Sequence, residues 1–410
     1  MSTEAIFYII LAIFIWETVL TKVLSYLNTT RWSEKLPSEL EDIYDGKKYE
    51  KSQKYEKVKY KFWWIASVPS FFVMLLILVF GGFGWLDTFL RTFSDNAIVL
   101  ALMFFGIISI ISTIVSLPFR YYSTFVIEER FGFNKMTQKL FFTDTIKWLL
   151  LSALIGWPLL ALIVWIYSIV GNSFWIYTWA IATGFSLFFM MFYSSLIVPL
   201  FNKQTPLEAW ELRDAIEGFA NKVGFTGTDI YVIDGSKRSS KANAYFSGFG
   251  PKKRIVLFDT LISDLSTQEL VAVLAHEIGH YKRKHTLQML AMSIMQTWII
   301  LYIFALALWI PQVSYALWGD VQSFHLWAVA FGILFTPISM IFGMLTSIFS
   351  RKNEYEADDY ARQNYSGKHL SNALIKLSRN NLSNLRPHPA YEFFYYSHPT
   401  VLKRLKALKK

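Results

Sequence analysis

His276 and His280 stand four residues apart in the run Ala275-His276-Glu277-Ile278-Gly279-His280. On a helix that spacing puts both imidazoles on one face, where they can grip a single cation. Two imidazole nitrogens suit zinc best. Glu277, beside the first histidine, is a carboxylate within reach of a water at such a cation. The pattern H-E-x-x-H therefore holds a whole hydrolytic chemistry: the cation polarises a carbonyl and lowers the pKa of water, and the carboxylate takes the proton. The competing reading is a buried helix whose histidines merely satisfy hydrogen bonds, and in a chain of 410 residues the bare motif does not separate the two.

The surroundings favour the chemical reading. Ser266, followed three residues later by Glu269, is a capping box and predicts a helix start. Val271, Leu274, Ile278 and Tyr281 give that helix an apolar face. The chain has no cysteine, which excludes disulfides, thiolate ligands and thiol nucleophiles. Any metal must then be held by His, Asp or Glu.

Hydrophobic residues make up 54% of the chain, with 36 Phe and 15 Trp. That exceeds the apolar share of a soluble domain and suits lipid-facing and interfacial positions. Apolar blocks at roughly 5–26, 62–84, 97–119, 148–170, 174–200, 287–310 and 325–349 are each long enough to cross about 30 Å of hydrocarbon. The first lacks a basic start and an Ala-x-Ala site, so it reads as a retained span rather than a leader. Residues 28–61 read as a solvated, partly helical connector. Residues 202–285 mix polar and apolar positions: Leu207–Val223 reads as an amphipathic helix, and 230–233 and 254–258 as strands. The expected fold is thus all-α and integral to the membrane, with seven transmembrane helices and a catalytic segment that contains a small β element. Its divisions are 1–201 (spans one to five), 202–285 (catalytic segment), 286–350 (spans six and seven) and 351–410 (C-terminal segment).

The net charge of +10 admits a nucleic-acid partner, but its placement argues otherwise. Of the 40 Lys and Arg, 38 fall in the alternate segments 28–61, 120–147, 202–285 and 351–410. Basic segments stay cytoplasmic. The N-terminus is expected outside, with the catalytic segment and the C-terminus in the cytoplasm; the partner is a lipid bilayer, not nucleic acid.

A catalytic zinc takes three protein ligands and keeps one position open. Three candidates for the third ligand follow. His285 lies five residues past His280 and would face the wrong way on a continuing helix. Glu128 and Glu129 sit in a connector. Glu354 and Asp358, four apart just past the last span, share a helix face, so that one can ligate while the other accepts a hydrogen bond from a ligand histidine. Glu356 and Asp359 point elsewhere and read as solvated.

The motif His276–His280, a span, and then Glu354-Tyr355-Glu356-Ala357-Asp358-Asp359-Tyr360-Ala361 resembles the integral-membrane zinc endopeptidases of the CAAX prenyl protease type 1 family. The likeness extends, in order, through Glu128–Lys135, Pro199–Lys203, Asp234–Ser240, Asn243–Phe246, Lys253–Leu261 and Tyr396–Pro399 with Arg404. Lys241-Ala242, before Asn243, departs from the more polar pattern expected there. The resemblance implies zinc held by His276, His280 and Glu354, with Glu277 as general base and Asp358 orienting a zinc histidine. It implies that His398 and Arg404 line the active site, stabilising the oxyanion or binding substrate backbone. Asn243 would face substrate beside an edge strand to which a peptide can add. It also implies that the seven helices enclose a large chamber within the membrane, closed at one end by the zinc site.

The functional expectation is a membrane zinc endopeptidase that hydrolyses peptide bonds near the C-terminus of lipidated, prenylated CAAX-type or other membrane-associated substrates. It would lie in the endoplasmic reticulum of a eukaryote or the inner membrane of a bacterium. A general quality-control protease would use the same residues. A metal transporter would instead carry ionisable residues deep within several spans.

Overall fold

The computed structural model describes the chain except for residues 34, 37–40, 42–43, 209–210, 226–228, 248–253 and 410. Helices dominate. The first four long ones start on a side chain that can accept a hydrogen bond: Ser2 for α1 (Thr3–Thr29), Asp45 for α2 (Gly46–Val79), Asn96 for α4 (Ala97–Tyr122) and Thr137 for α5 (Gln138–Val170). Each cap satisfies an N–H left free at the first turn. A short helix, α3 (Gly82–Arg91), follows α2 across Gly81, which adopts φ +70°. That left-handed residue splits the apolar block 62–84 in two. The second half of the polar connector is continuous with α2, so it extends the second span as a rigid stalk. Pro69, Pro118 and Pro158 lie inside α2, α4 and α5 without ending them.

Among the described residues, α6 (Phe174–Leu196) and α9 (His285–Ala307) complete six helices long and apolar enough to cross a membrane. The seventh expected span is broken. α10 (Phe324–Leu334) and α11 (Thr336–Ala361) meet at a bend of 56°. Pro337, in the first turn of α11, has no N–H to continue the ladder from α10.

Between α6 and α9 the chain builds a four-stranded sheet: β1 (Gln204–Pro206), β2 (Asp229–Ile233), β3 (Ala244–Ser247) and β4 (Arg254–Phe258), in the order β1-β2-β4-β3. The two expected strands, β2 and β4, form its parallel centre, with Ile230 opposite Ile255. β1 and β3 flank them antiparallel, and β3 is an edge. α7 (Glu211–Lys222), α8 (Thr267–Lys282) and α12 (Gly367–Asn380) pack with the sheet around one apolar core that includes Phe219, Leu257, Leu270, Leu274 and Leu374. A second core, around Phe104, Phe174 and Trp327, fills the far end of the bundle. There Asp87 (0% exposed) and His325 (2%) are buried together, with His325 Nε2 2.6 Å from Asp87 Oδ1 and Arg91 Nε 3.0 Å from Asp87 Oδ2.

α8 carries the H-E-x-x-H motif, and both arms of its capping box form. Ser266 Oγ accepts from Glu269 N, and Ser266 N donates to Glu269 Oε2 at 2.9 Å. Lys376 Nζ, on α12, lies 2.7 Å from the same oxygen. Burial pushes the Glu269 carboxyl up, but Lys376 and the Ser266 N–H outweigh it and hold it below the usual carboxylate range. A carboxyl depressed in the fold stabilises above its unfolded pKa of about 4.3, and loses that contribution as pH falls through its lower folded value. Glu269→Gln should therefore lower the melting temperature of detergent-purified protein at pH 7 and flatten the acid limb of its stability curve. An unchanged acid limb would remove Glu269 as a contributor.

Candidate metal centre

α8 and α11 cross at Gly279. A Cβ built there would lie 3.1 Å from Ala357 Cα and 3.1 Å from Tyr360 Cβ. Ala357 and Ala361 are fully buried on the facing side. Small residues on both helices let the backbones meet, and the crossing brings Glu354 and Asp358 against the motif histidines.

His276 Nε2 and His280 Nε2 are 3.1 Å apart. Glu354 Oε1 is 3.3 Å from His280 Nε2, and Glu354 Oε2 is 3.5 Å from His276 Nε2. One ligand atom from each of the three residues lies within 4.8 Å of the other two. Ligands about 2.0–2.1 Å from a tetrahedral zinc sit roughly 3.3 Å from one another, so this set of two nitrogens and one oxygen has the right spacing and chemistry. Glu354 Oε2 is buried and, among the described residues, has close charged neighbours but no well-aligned hydrogen bond. Burial alone would push the His276 imidazole down, but the Asp358 and Glu354 carboxylates outweigh it and bring it up to about 9. The pocket is thus built to hold positive charge.

Asp358 sits behind the first histidine, with Oδ1 2.9 Å from His276 Nδ1. Arg404, on α13 (Val401–Leu408), grips Asp358 through Nε at 2.8 Å, and its Nη1 is 3.1 Å from Glu354 Oε2. Only 8% of Arg404 is exposed. Its guanidinium is paired with both the Asp358 and Glu354 carboxylates, behind the cluster formed by His276, His280 and Glu354. His398 is exposed at the mouth, with Nε2 3.3 Å from Glu354 Oε1. Glu277 is half-buried on the motif helix, close enough to Arg404 to act on its charge.

Two readings from the sequence need revision. His285 lies outside the cluster of His276, His280 and Glu354, but it does not face away. α8 ends, Lys284 adopts φ +61°, and α9 begins, so His285 folds back with Nδ1 3.0 Å from His280 Nδ1. Glu356 is not simply solvated: its Oε2 is 3.1 Å from His285 Nε2. The carboxylates of Glu128 and Glu129 are engaged elsewhere, by Lys241 and Asn134 respectively.

Asn243 is exposed at the start of edge strand β3, its Oδ1 accepting from Ala244 N at 2.9 Å. The segment leading to it is tied to the membrane helices. Arg238 forms two hydrogen bonds to Asp144 on α5, at 2.8 and 3.0 Å. Lys241 Nζ lies 2.8 Å from Glu128 Oε2, and the Tyr55 hydroxyl on α2 also donates to Glu128. Asn134 and Ser239 form a bridge between the two loops. Lys241 is thus a structural anchor, and only its partner's position in space, not any local pattern, could have revealed it.

Comparison with known proteins decides the family. A family model described as CAAX prenyl protease N-terminal, five membrane helices, matches residues 25–203, and the model for peptidase family M48 matches residues 206–410. The chain belongs to peptidase family M48. It is 38% identical over 413 residues to CAAX prenyl protease 1 of Saccharomyces cerevisiae, covering 94% of this chain and 91% of that one. It is 33% identical over 445 residues to the mouse CAAX prenyl protease 1 homolog, covering 97% and 93%. The crystal structure of S. mikatae Ste24p superposes with a TM-score of 0.93 at 36% identity, covering 99% of both chains. This M48 protein is therefore a multi-pass membrane metalloprotease with a metal cofactor.

The crossing at Gly279 generates a test. Gly279→Val should force α8 and α11 apart, at a cost of about 1–3 kcal/mol, and weaken zinc binding by on the order of tenfold or more. Gly279→Ala should have a smaller effect of the same sign. Chelator competition on purified protein measures both, and unchanged affinity in the valine variant would show that the crossing does not set the site.

Proposed function

We propose that this M48 protease is a zinc endopeptidase that cleaves near the C-terminus of prenylated CAAX-type proteins. The observation that carries the chemistry is the convergence of His276, His280 and Glu354 beside Glu277. The substrate class rests on the near full-length likeness to proteins named CAAX prenyl protease 1. Zinc held by the three ligands would polarise the scissile carbonyl and lower the pKa of water. Glu277 takes the proton of the attacking water and returns one to the leaving amine nitrogen. His398, at the exposed mouth, donates to the oxygen on which negative charge develops. Asp358 holds His276 by Nδ1, leaving Nε2 for the metal. Arg404 balances the charge of the two buried carboxylates. The substrate peptide adds along the edge of β3 that is unpaired among the described residues, beside Asn243.

The lipid of such a substrate would lie in a chamber among the membrane helices. The reading divides the chain into spans one to five (1–201), the catalytic segment (202–285), spans six and seven (286–350) and the C-terminal segment carrying Glu354 (351–410). The basic alternate segments support an outside N-terminus and a cytoplasmic metal centre. Since the relatives quoted are eukaryotic, the endoplasmic reticulum is the favoured membrane.

The deciding assay compares release of the terminal tripeptide from a farnesylated CAAX peptide with cleavage of its unlipidated twin. The expected result is cleavage of the lipidated peptide alone, lost with a chelator and restored by zinc. Glu277→Ala should lose at least a hundredfold in rate while still binding zinc. Equal cleavage of both peptides would turn the reading toward a general membrane quality-control protease. The absence of native cysteine makes topology directly readable: in sealed vesicles, an impermeant thiol reagent should label Ser2→Cys and Lys409→Cys from opposite faces. Labelling from one face would end the seven-span assignment.

A further inference from the structure

The two motif histidines are supported differently. His276 meets a carboxylate directly, with Nδ1 2.9 Å from Asp358. His280 meets another imidazole, His285, which is 3% exposed and whose far nitrogen is 3.1 Å from Glu356. We propose that His285 is a positioning residue for the metal centre, relaying the Glu356 carboxylate to His280 so that His280 Nε2 keeps its lone pair for a divalent cation. The inference rests on the metal-hydrolase reading given above and deepens it.

The proton positions follow from the donors and acceptors. Glu356 as a carboxylate only accepts, so His285 Nε2 carries the proton between them. A neutral His285 then presents an unprotonated Nδ1. His280 Nδ1, 3.0 Å away, must donate to it, and the tautomer with hydrogen on Nδ1 leaves His280 Nε2 bare. Without His285, the His280 proton can sit on either nitrogen, and on Nε2 it competes with the cation. Ligand histidines fixed in this way through their second nitrogen bind metal more tightly.

The backbone is shaped to allow it. Five residues along an unbroken helix, His285 would point about 140° away from His280. Lys284, a non-glycine residue at φ +61°, interrupts the helix there and turns the chain back. A side-chain-bearing residue in that region costs free energy, and it brings His285 edge-on against His280, with ring centres 5.1 Å apart and planes at 73°. Glu356 reaches the relay from α11, the same helix that supplies Glu354 and Asp358. That one helix thereby serves all three ligand positions: Glu354 as a ligand, Asp358 for His276, and Glu356 for His280. Lys352 Nζ lies 3.7 Å from Glu356 Oε1.

The test uses full-length protein in detergent, with zinc affinity read by competition with a chromophoric chelator and Co²⁺ as a spectroscopic probe. His285→Leu, which keeps the bulk and removes both hydrogen bonds, should bind zinc about 10–100-fold more weakly and shift the visible bands of the Co²⁺ form. His285→Gln should recover part of the loss, because its amide oxygen can accept from His280 and its amide nitrogen can donate to Glu356. Glu356→Leu, at a half-exposed position with little folding risk, should weaken binding by a smaller factor. Wild-type affinity in His285→Leu or in Glu356→Leu would overturn the relay. Equal loss in the Leu and Gln variants, with a lowered melting temperature of the metal-free protein, would reduce His285 to a packing role and overturn it as well. His276→Ala is the separate control: retained stoichiometric zinc there would sink the metal-centre reading itself, whatever His285 does.

Discussion

The close approach of α8 and α11 at Gly279 and Ala357 decides whether two histidines on one helix meet two carboxylates on the other. Both pairs repeat every four residues, about 6 Å along a helix axis. His276 lies opposite Asp358, and His280 opposite Glu354, so the two helices run antiparallel and the pairs form successive rungs. A separation greater by one side-chain diameter would take Glu354 away from the His276 and His280 Nε2 atoms and Asp358 away from His276 Nδ1. The apolar core around Leu270, Leu274 and Leu374, the capping box at Ser266 and the Lys376–Glu269 pair all act to hold α8 where that crossing requires it.

Charge is the second constraint. Glu354, Asp358, His276 and Arg404 are all at least 92% buried, and a buried charge is tolerated only with a partner and hydrogen bonds. Each of the four has a partner among the others, so the cluster behaves as a unit, and removing one member leaves the rest uncompensated. A similar arrangement, Asp87 with Arg91 and His325, pins the far end of the bundle. Arg238–Asp144 and Lys241–Glu128 tie the approach to β3 to the membrane helices. Strand β3 is therefore fixed to the same frame as the candidate metal centre.

Elements with a local signature were readable in the sequence. The Ser266/Glu269 box, the strands β2 and β4, the six uninterrupted spans and the paired Glu354 and Asp358 each announce themselves through spacing or hydropathy. What escaped depends on the backbone leaving its regular path. His285 was misplaced because periodicity assumes a continuing helix, whereas Lys284 breaks it. Glu356 was taken as solvated because its partner lies 71 residues away. β1 and β3 are too short to show alternation, and they exist by pairing with β2 and β4. The bend at residue 335 had a marker in Pro337, but Pro69, Pro118 and Pro158 sit in helices that do not break, so proline alone does not tell a kink from a tolerated residue.

The bend before α11 has a mechanical consequence. From Thr336 onward α11 is one helix, and Glu354 lies 18 residues along it, about 27 Å from the bend. Its first half is apolar and lies among the membrane spans; its second half carries Glu354 of the candidate metal centre. A rigid rod of that length turns a tilt of about 2° at the bend into a displacement of roughly 1 Å at Glu354, several times the roughly 0.2 Å within which a metal–ligand distance is held. Helices answer a change in hydrocarbon thickness by tilting. The thickness of the surrounding bilayer thus bears, through a lever, on the position of Glu354, and the packing at Gly279 is the brace that resists it.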